Sequence, residues 1–179
     1  MILDKSTPAV SRLFALDLDL CRRMTRLQRS ASALAFFRLV SRLGDGPFWF
    51  ALAAGLVLFG GTASLVAVLR MSLVGIAAAL VSRWLKGWAN RARPFSADPG
   101  ISAGGQALDP WSFPSGHTLH ACAFHGVLVV DHPWLALALV PWTVAIALSR
   151  VVLGLHYPSD VAAGAAIGTA LAALVLAVV

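Results

Sequence analysis

Charge is scarce in this chain, and so is cysteine. Only 12% of its 179 residues are Asp, Glu, Lys or Arg, while 59% are hydrophobic and the mean hydropathy is +0.80. Ordinary soluble domains carry about 25% charged and about 45–50% apolar residues. So little charge excludes a conventional soluble surface, and the sequence reads as a membrane protein. Polar stretches long enough for a second domain are also missing, which leaves one compact unit with room for several spans of about 20 residues. The two cysteines, Cys21 among arginines and Cys122 in an apolar run, make no disulfide framework and are expected to be free thiols. An unbroken apolar stretch near the N-terminus is lacking as well. Arg12, Asp17, Asp19, Arg22 and Arg23 interrupt it, so no cleavable signal peptide is expected.

The charge that is present is lopsided, with a formal net value of +6. Nucleic acid is not the expected partner, because the basic residues divide between an amphipathic N-terminal region and a few short clusters. Anionic headgroups of the bilayer or phosphorylated ligands account for them better.

The pattern predicts an all-α fold: a polytopic helical bundle of about five transmembrane helices preceded by an amphipathic interfacial helix. Residues 1–46 form the interfacial segment, with Leu13, Leu16, Leu20, Met24 and Leu27 at helical spacing among arginines. Gly44-Asp45-Gly46-Pro47 breaks it. Residues 47–179 form the bundle, with apolar stretches at 47–60, 62–85, 117–131, 133–153 and 158–179. Arg70, inside the second, is expected to snorkel to a surface or point into the bundle. Gly164 and Gly168, four apart among alanines, suit close helix packing in lipid. Trp84, Trp88 and Trp111 suit an interfacial belt.

Three polar clusters stand out against this background: Lys86 to Pro94, Pro114 to His117, and Ser149 to Asp160. Each lies where an apolar stretch ends, and counting crossings puts all three on one membrane face. Cations and imidazoles are costly beside lipid and seldom gather there without a task. His156 precedes Asp160 by four residues, with Pro158 suited to a first helical turn. A carboxylate on one ring nitrogen would leave the other nitrogen's lone pair free to attack an electrophile; equally, the pair could simply cap the last helix. Pro114-Ser115-Gly116-His117 could aim backbone N–H groups at an anion and supply a proton donor, or be an ordinary turn and cap. Lys86, Arg93 and Arg150 could grip phosphate oxygens. Snorkelling is the plainer reading for Arg83 and Arg91, and helix packing for His120 and His125. The loop from Phe95 to Phe113 would shape headgroup selection.

Taken together, Lys86 with Arg93-Pro94, Pro114-Ser115-Gly116-His117, and Ser149-Arg150 with His156 and Asp160 resemble the three-part signature of the type 2 phosphatidic acid phosphatase superfamily. The resemblance spans residues 86–160. It implies a membrane lipid phosphatase with no cofactor or metal: His156 as nucleophile forming a phosphohistidine, Asp160 orienting it, and His117 protonating the leaving group and then activating water. Lys86, Arg93, Arg150, Ser115 and the Gly116 N–H would hold the phosphate. Undecaprenyl diphosphate, phosphatidylglycerophosphate, phosphatidic acid and a lipid A phosphate are the implied substrates. A lipid phosphotransferase with the same site and a non-catalytic lipid-binding or transport protein are the competing readings. The basic N-terminal region would put the site in the cytoplasm, whereas the resemblance favours the extracytoplasmic face of the inner membrane, which is the expectation adopted.

Overall fold

The computed structural model describes residues 8–179 and is built from helices. In chain order these are α1 (Pro8–Thr25), a 3-10 turn (Arg26–Arg29), α2 (Ala31–Gly44), α3 (Pro47–Phe59), α4 (Gly61–Ala89), the single turn α5 (Pro94–Ala97), α6 (Gly116–Asp131), α7 (Ala136–Val152) and α8 (Pro158–Val178). Local chemistry sets the boundaries. Pro47, Pro94 and Pro158 open their helices, where a missing N–H costs nothing. Asn90 ends α4 in the left-handed conformation that an Asn tolerates.

Among the described residues, three helices are long and apolar enough to cross a membrane: Ser64–Ala89, Pro133–Val152 and Pro158–Val178. Leu65, Leu69, Leu73, Ile76, Leu80 and Trp84 form an exposed apolar face along α4, as expected of a protein whose outer surface meets lipid. The expected apolar stretches at 47–60 and 117–131 coincide with α3 and α6. With 13 and 16 residues these helices reach about 20 and 24 Å, short of a hydrocarbon core of about 30 Å.

Helix α6 is the axis of the bundle, flanked by α4, α7 and α8. Gly164 and Gly168 let α8 lie directly on it: a Cβ at Gly164 would stand 2.6 Å from the Ser115 carbonyl oxygen, and one at Gly168 would collide with that of Leu119. The expected small-residue packing is therefore present. One core joins Trp49, Met71, Val74, Val127, Leu128, Leu139 and Ile146 from α3, α4, α6 and α7.

Helix α1 inverts the soluble pattern. Leu13, Leu16 and Leu20 are exposed, whereas Asp17 and Cys21 face inward. Both N-terminal helices touch the polar end of the bundle: Asp17 Oδ1 accepts from the Ser159 N–H at 3.0 Å, and Ser41 of α2 accepts a hydrogen bond from Arg150.

Candidate active site

The ends of α4, α6, α7 and α8 meet the long loop 90–115 at one end of the bundle. That loop is pinched at its base. The Ser112 N–H donates to the Arg91 carbonyl at 2.8 Å, its hydroxyl reaches the Ala92 carbonyl at 3.2 Å, and Ala92 bridges to Trp111. The pinch carries the Ser112 carbonyl to the imidazole of His156.

His156 sits in the turn between α7 and α8 and is 1% exposed. Its Nδ1 is 2.6 Å from the Ser112 carbonyl oxygen, an acceptor only, so Nδ1 carries the proton and Nε2 holds the lone pair. Nε2 in turn stands 3.1 Å from Nη1 of Arg93, a purely cationic donor. Burial, reinforced by the charges of Arg150, Arg93 and Lys86, pushes the His156 pKa well below the usual imidazole value of 6.5, keeping the ring neutral.

Asp160 was expected to orient His156, but its Oδ2 lies 3.7 Å from Nδ1, beyond hydrogen-bonding distance. Other groups hold it. Oδ2 accepts the Tyr157 N–H at 2.9 Å and Oδ1 accepts Arg91 Nη1 at 2.6 Å. Arg91 also donates to Asp17 Oδ2 at 2.8 Å and lies 3.9 Å from the centre of the Tyr157 ring. Burial lowers the Arg91 pKa, but the Asp160 and Asp17 carboxylates outweigh it and the net shift is upward. Arg91 is therefore built into the support of this site instead of snorkelling.

Lys86 and Arg93 converge on one carboxylate. Lys86 Nζ is 2.5 Å from Asp109 Oδ2, and Arg93 Nη2 is 3.1 Å from Asp109 Oδ1, with Arg93 Nε also donating to the Asp109 carbonyl at 2.8 Å. Burial raises the Asp109 pKa, yet the hydrogen bond and charge of Lys86 and the charge of Arg93 overcome it and hold the group below the ordinary carboxylate value.

Gly116 opens α6 close to these cations, since a Cβ there would be 4.0 Å from Lys86 Nζ. Ser115 is fully buried, its hydroxyl paired with Thr118 Oγ1 at 3.0 Å and its N–H with the Asp160 carbonyl at 3.0 Å. Because Ser115 makes no side-chain cap, the first-turn N–H groups of α6 keep their anion-binding capacity. His117 Nε2 is 3.2 Å from Asp45 Oδ1 in the turn between α2 and α3. Arg150 donates to Ser41, and its buried Nε has no partner among the described residues. His120 donates its Nδ1 proton to the Gly116 carbonyl at 2.8 Å and lines the cavity next to His117.

That cavity has a volume of about 780 Å³. Lys86, Asp109, Gly116 and His117 form its polar end, and Trp49, Phe50, Met71 and Phe124 form apolar walls. Chemically, the arrangement offers a neutral imidazole lone pair beside a guanidinium, a second imidazole on a helix N-terminus, and two cations, Lys86 and Arg93, that share one carboxylate. Such a set suits attack on a tetrahedral oxyanion.

Sequence reasoning missed Asp17, Asp45, Asp109 and the Ser112 carbonyl. An aspartate among the leucines of α1 was a signal that could have found Asp17; the others lie in turns and a loop that carry no periodicity.

The family model for the PAP2 superfamily matches residues 67–179. A lipid A 1-phosphatase of Rhizobium etli is 30% identical over 165 residues, covering 79% of this chain and 69% of the relative. A decaprenylphosphoryl-5-phosphoribose phosphatase of Mycobacterium tuberculosis is 34% identical over 154 residues, covering 75% and 83%. The crystal structure of Aquifex aeolicus LpxE superposes with a TM-score of 0.79 at 25% identity, covering 99% of both chains. The chain belongs to the PAP2 superfamily. It is a membrane phosphatase of that class, acting on phosphate monoesters.

Proposed function

We propose that this protein is a multi-pass inner-membrane lipid phosphatase that works through a phosphohistidine on His156. The observation that carries the reading is the state of that ring: buried, neutral, with Nδ1–H bound to a backbone carbonyl and the Nε2 lone pair beside Arg93. Nε2 forms the N–P bond as the bond from phosphorus to the lipid oxygen breaks, and His117 gives its proton to the departing oxygen. His117 then takes a proton from water, the hydroxide oxygen bonds to phosphorus, and the N–P bond breaks to return the lone pair to Nε2.

Lys86, Arg93, Arg150, Ser115 and the Gly116 N–H hold the phosphate oxygens, and Asp160 braces the turn that carries His156. In the resting protein Asp109 sits on Lys86 and Arg93, and the entering phosphate displaces it. The apolar walls of the large cavity receive the start of the lipid tail. The substrate is a lipid phosphate or diphosphate, of the kind exemplified by undecaprenyl diphosphate, phosphatidylglycerophosphate, phosphatidic acid or a lipid A phosphate. The names of the relatives, a lipid A 1-phosphatase and a decaprenyl-linked phosphoribose phosphatase, support that class.

In the membrane, residues 47–179 form five spans, the short α3 and α6 crossing where the bilayer thins around them, and residues 8–46 lie along the interface, with the site at the extracytoplasmic face. The outward leucines of α1 support the interfacial placement. An impermeant thiol reagent should label Ala103→Cys in intact spheroplasts once Cys21 and Cys122 are replaced; labelling only after lysis puts the site in the cytoplasm.

The decisive assay is phosphate release from a panel of lipid phosphates in EDTA. His156→Ala should lose about 10⁴-fold or more in kcat, and the acid-labile phosphoprotein trapped from wild type should vanish. Equal rates in the two proteins reject the mechanism. Lipid phosphate consumed without free phosphate appearing means transfer to another lipid instead of to water.

A further inference from the structure

A second cavity, of about 370 Å³, lies beside the first and is lined by Arg38, Ser41, Arg42, Asp45, His117 and Arg150 together with the loop residues 103–106. It shares Asp45, Leu108 and His117 with the larger cavity, so the two chambers meet at the proposed proton donor. Phosphate-site residues alone do not account for it, because Arg38 and Arg42 lie outside all three polar clusters.

The charge is one-sided. Three guanidinium groups line the chamber against one carboxylate, and that carboxylate, Asp45, is turned to His117 at 3.2 Å. Arg38 and Arg42 are four residues apart on α2 and share a face. Arg42 has no ion-pair partner among the described residues. Among the described residues, Arg38 donates only through its Nε, to the Gly104 carbonyl at 2.6 Å, and Arg150 keeps a buried Nε without a partner.

The walls are also fixed in advance. The Gly104 N–H donates to the Leu153 carbonyl at 2.9 Å, and Gln28 Nε2 donates to the carbonyls of Val152 at 2.8 Å and Ser102 at 3.2 Å. Ser102 returns a hydrogen bond to Gln28 Oε1 at 3.0 Å. A chamber held open by hydrogen bonds spends little on ordering when a ligand enters.

We propose that this chamber binds a second phosphate-type oxyanion on the same substrate molecule, so that the enzyme selects lipids whose headgroup carries two phosphate groups. Arg38 and Arg42 grip the group that is not transferred while His156 attacks the other. The inference rests on the phosphatase reading above and narrows its substrate class. The same chemistry could come from phosphates of the surrounding lipid, and the experiment separates the two sources.

Full-length protein in micelles is assayed on two lipids with identical chains, one a phosphate monoester alone and the other bearing an additional phosphodiester in its headgroup. Wild type should prefer the second. In Arg38→Gln/Arg42→Gln, kcat/KM on the two-phosphate lipid should fall about tenfold or more through KM, as expected for losing charge-assisted grips. The one-phosphate lipid should change less than twofold, which also shows that the variant is folded. Arg42→Lys should recover part of the loss, a point charge replacing a fork.

Equal losses on both lipids, or none on either, overturn the proposal. So does a preference seen only when anionic lipid is mixed into zwitterionic micelles, because the arginines would then be holding bulk headgroups. Wild type inactive on both lipids, with His156→Ala no different, would fail the phosphatase reading itself and this inference with it.

Discussion

At the end of the bundle where α4 begins and α6 finishes, Arg70 Nη1 meets Asp131 Oδ1 at 2.6 Å, and Ser64 Oγ lies 3.1 Å from His132 Nε2. At the opposite end, Lys86, Arg91, Arg93 and Arg150 face Asp17, Asp45, Asp109 and Asp160, and Arg38 and Arg42 add to the positive side. Both ends bury cations in an apolar protein, but the first matches its charges one to one, even though Arg70 Nε and Asp131 Oδ2 have no hydrogen-bond partner among the described residues. The second leaves cations over, and its cavities open where they are. A neutralised arginine in such a chain is architecture; an arginine left in surplus beside a cavity is a place for an anion.

The contrast can be broken most sharply at Arg93. Arg93→Ala should lower kcat by about 10²–10³-fold, since it removes a preorganised donor from the developing charge. Single-turnover phosphate release measures this, and a change confined to KM would assign Arg93 to ground-state binding only. Asp109→Asn tests whether the carboxylate competes with substrate for Lys86 and Arg93. Inhibition by inorganic phosphate or vanadate should tighten about three- to tenfold, within the range of a released charge pair. Weaker inhibition would show that Asp109 assists binding.

The acid limb of the rate sharpens the same picture. In the proposed mechanism attack needs neutral His156, and its pKa is depressed by burial and neighbouring cations, so the ring stays neutral as pH falls through the ordinary imidazole value of 6.5. The loss of kcat/KM attributable to His156 should therefore begin below that value; a limb centred at or above it contradicts the buried, cation-flanked ring. The smallest catalytic effect belongs to the far end. Arg70→Met combined with Asp131→Leu should leave kcat/KM within about twofold, while Arg70→Met alone lowers stability by about 2 kcal/mol by leaving a carboxylate unpaired. Thermal denaturation in detergent distinguishes the single from the double replacement.

Much of this was legible in the sequence. Helix limits followed from Pro47, Pro158 and the glycines and polar turns between apolar runs, and the close approach of α8 to α6 followed from Gly164 and Gly168. That Lys86, Arg93, Gly116, His117 and His156 share one end of the bundle followed from counting crossings. The partners of those residues were not legible. Asp17 and Asp45 come from a segment whose periodicity speaks only of amphipathicity, and Asp109 lies in a loop with no period at all. Arg91 looked like a surface cation because nothing in its neighbourhood along the chain reveals the Asp160 and Asp17 carboxylates that bind it.

The acceptor that fixes the His156 tautomer is the main-chain oxygen of Ser112. Every amino acid supplies that oxygen, so no codon change at position 112 deletes it; a replacement there can only shift it, by loosening the pinch that the Ser112 N–H and hydroxyl make. Only chemistry on the backbone changes the oxygen itself: an ester linking residues 112 and 113 would weaken the carbonyl as an acceptor while leaving every side chain in place. Heredity can remove the imidazole outright, but it reaches the atom that aims it only through that atom's position.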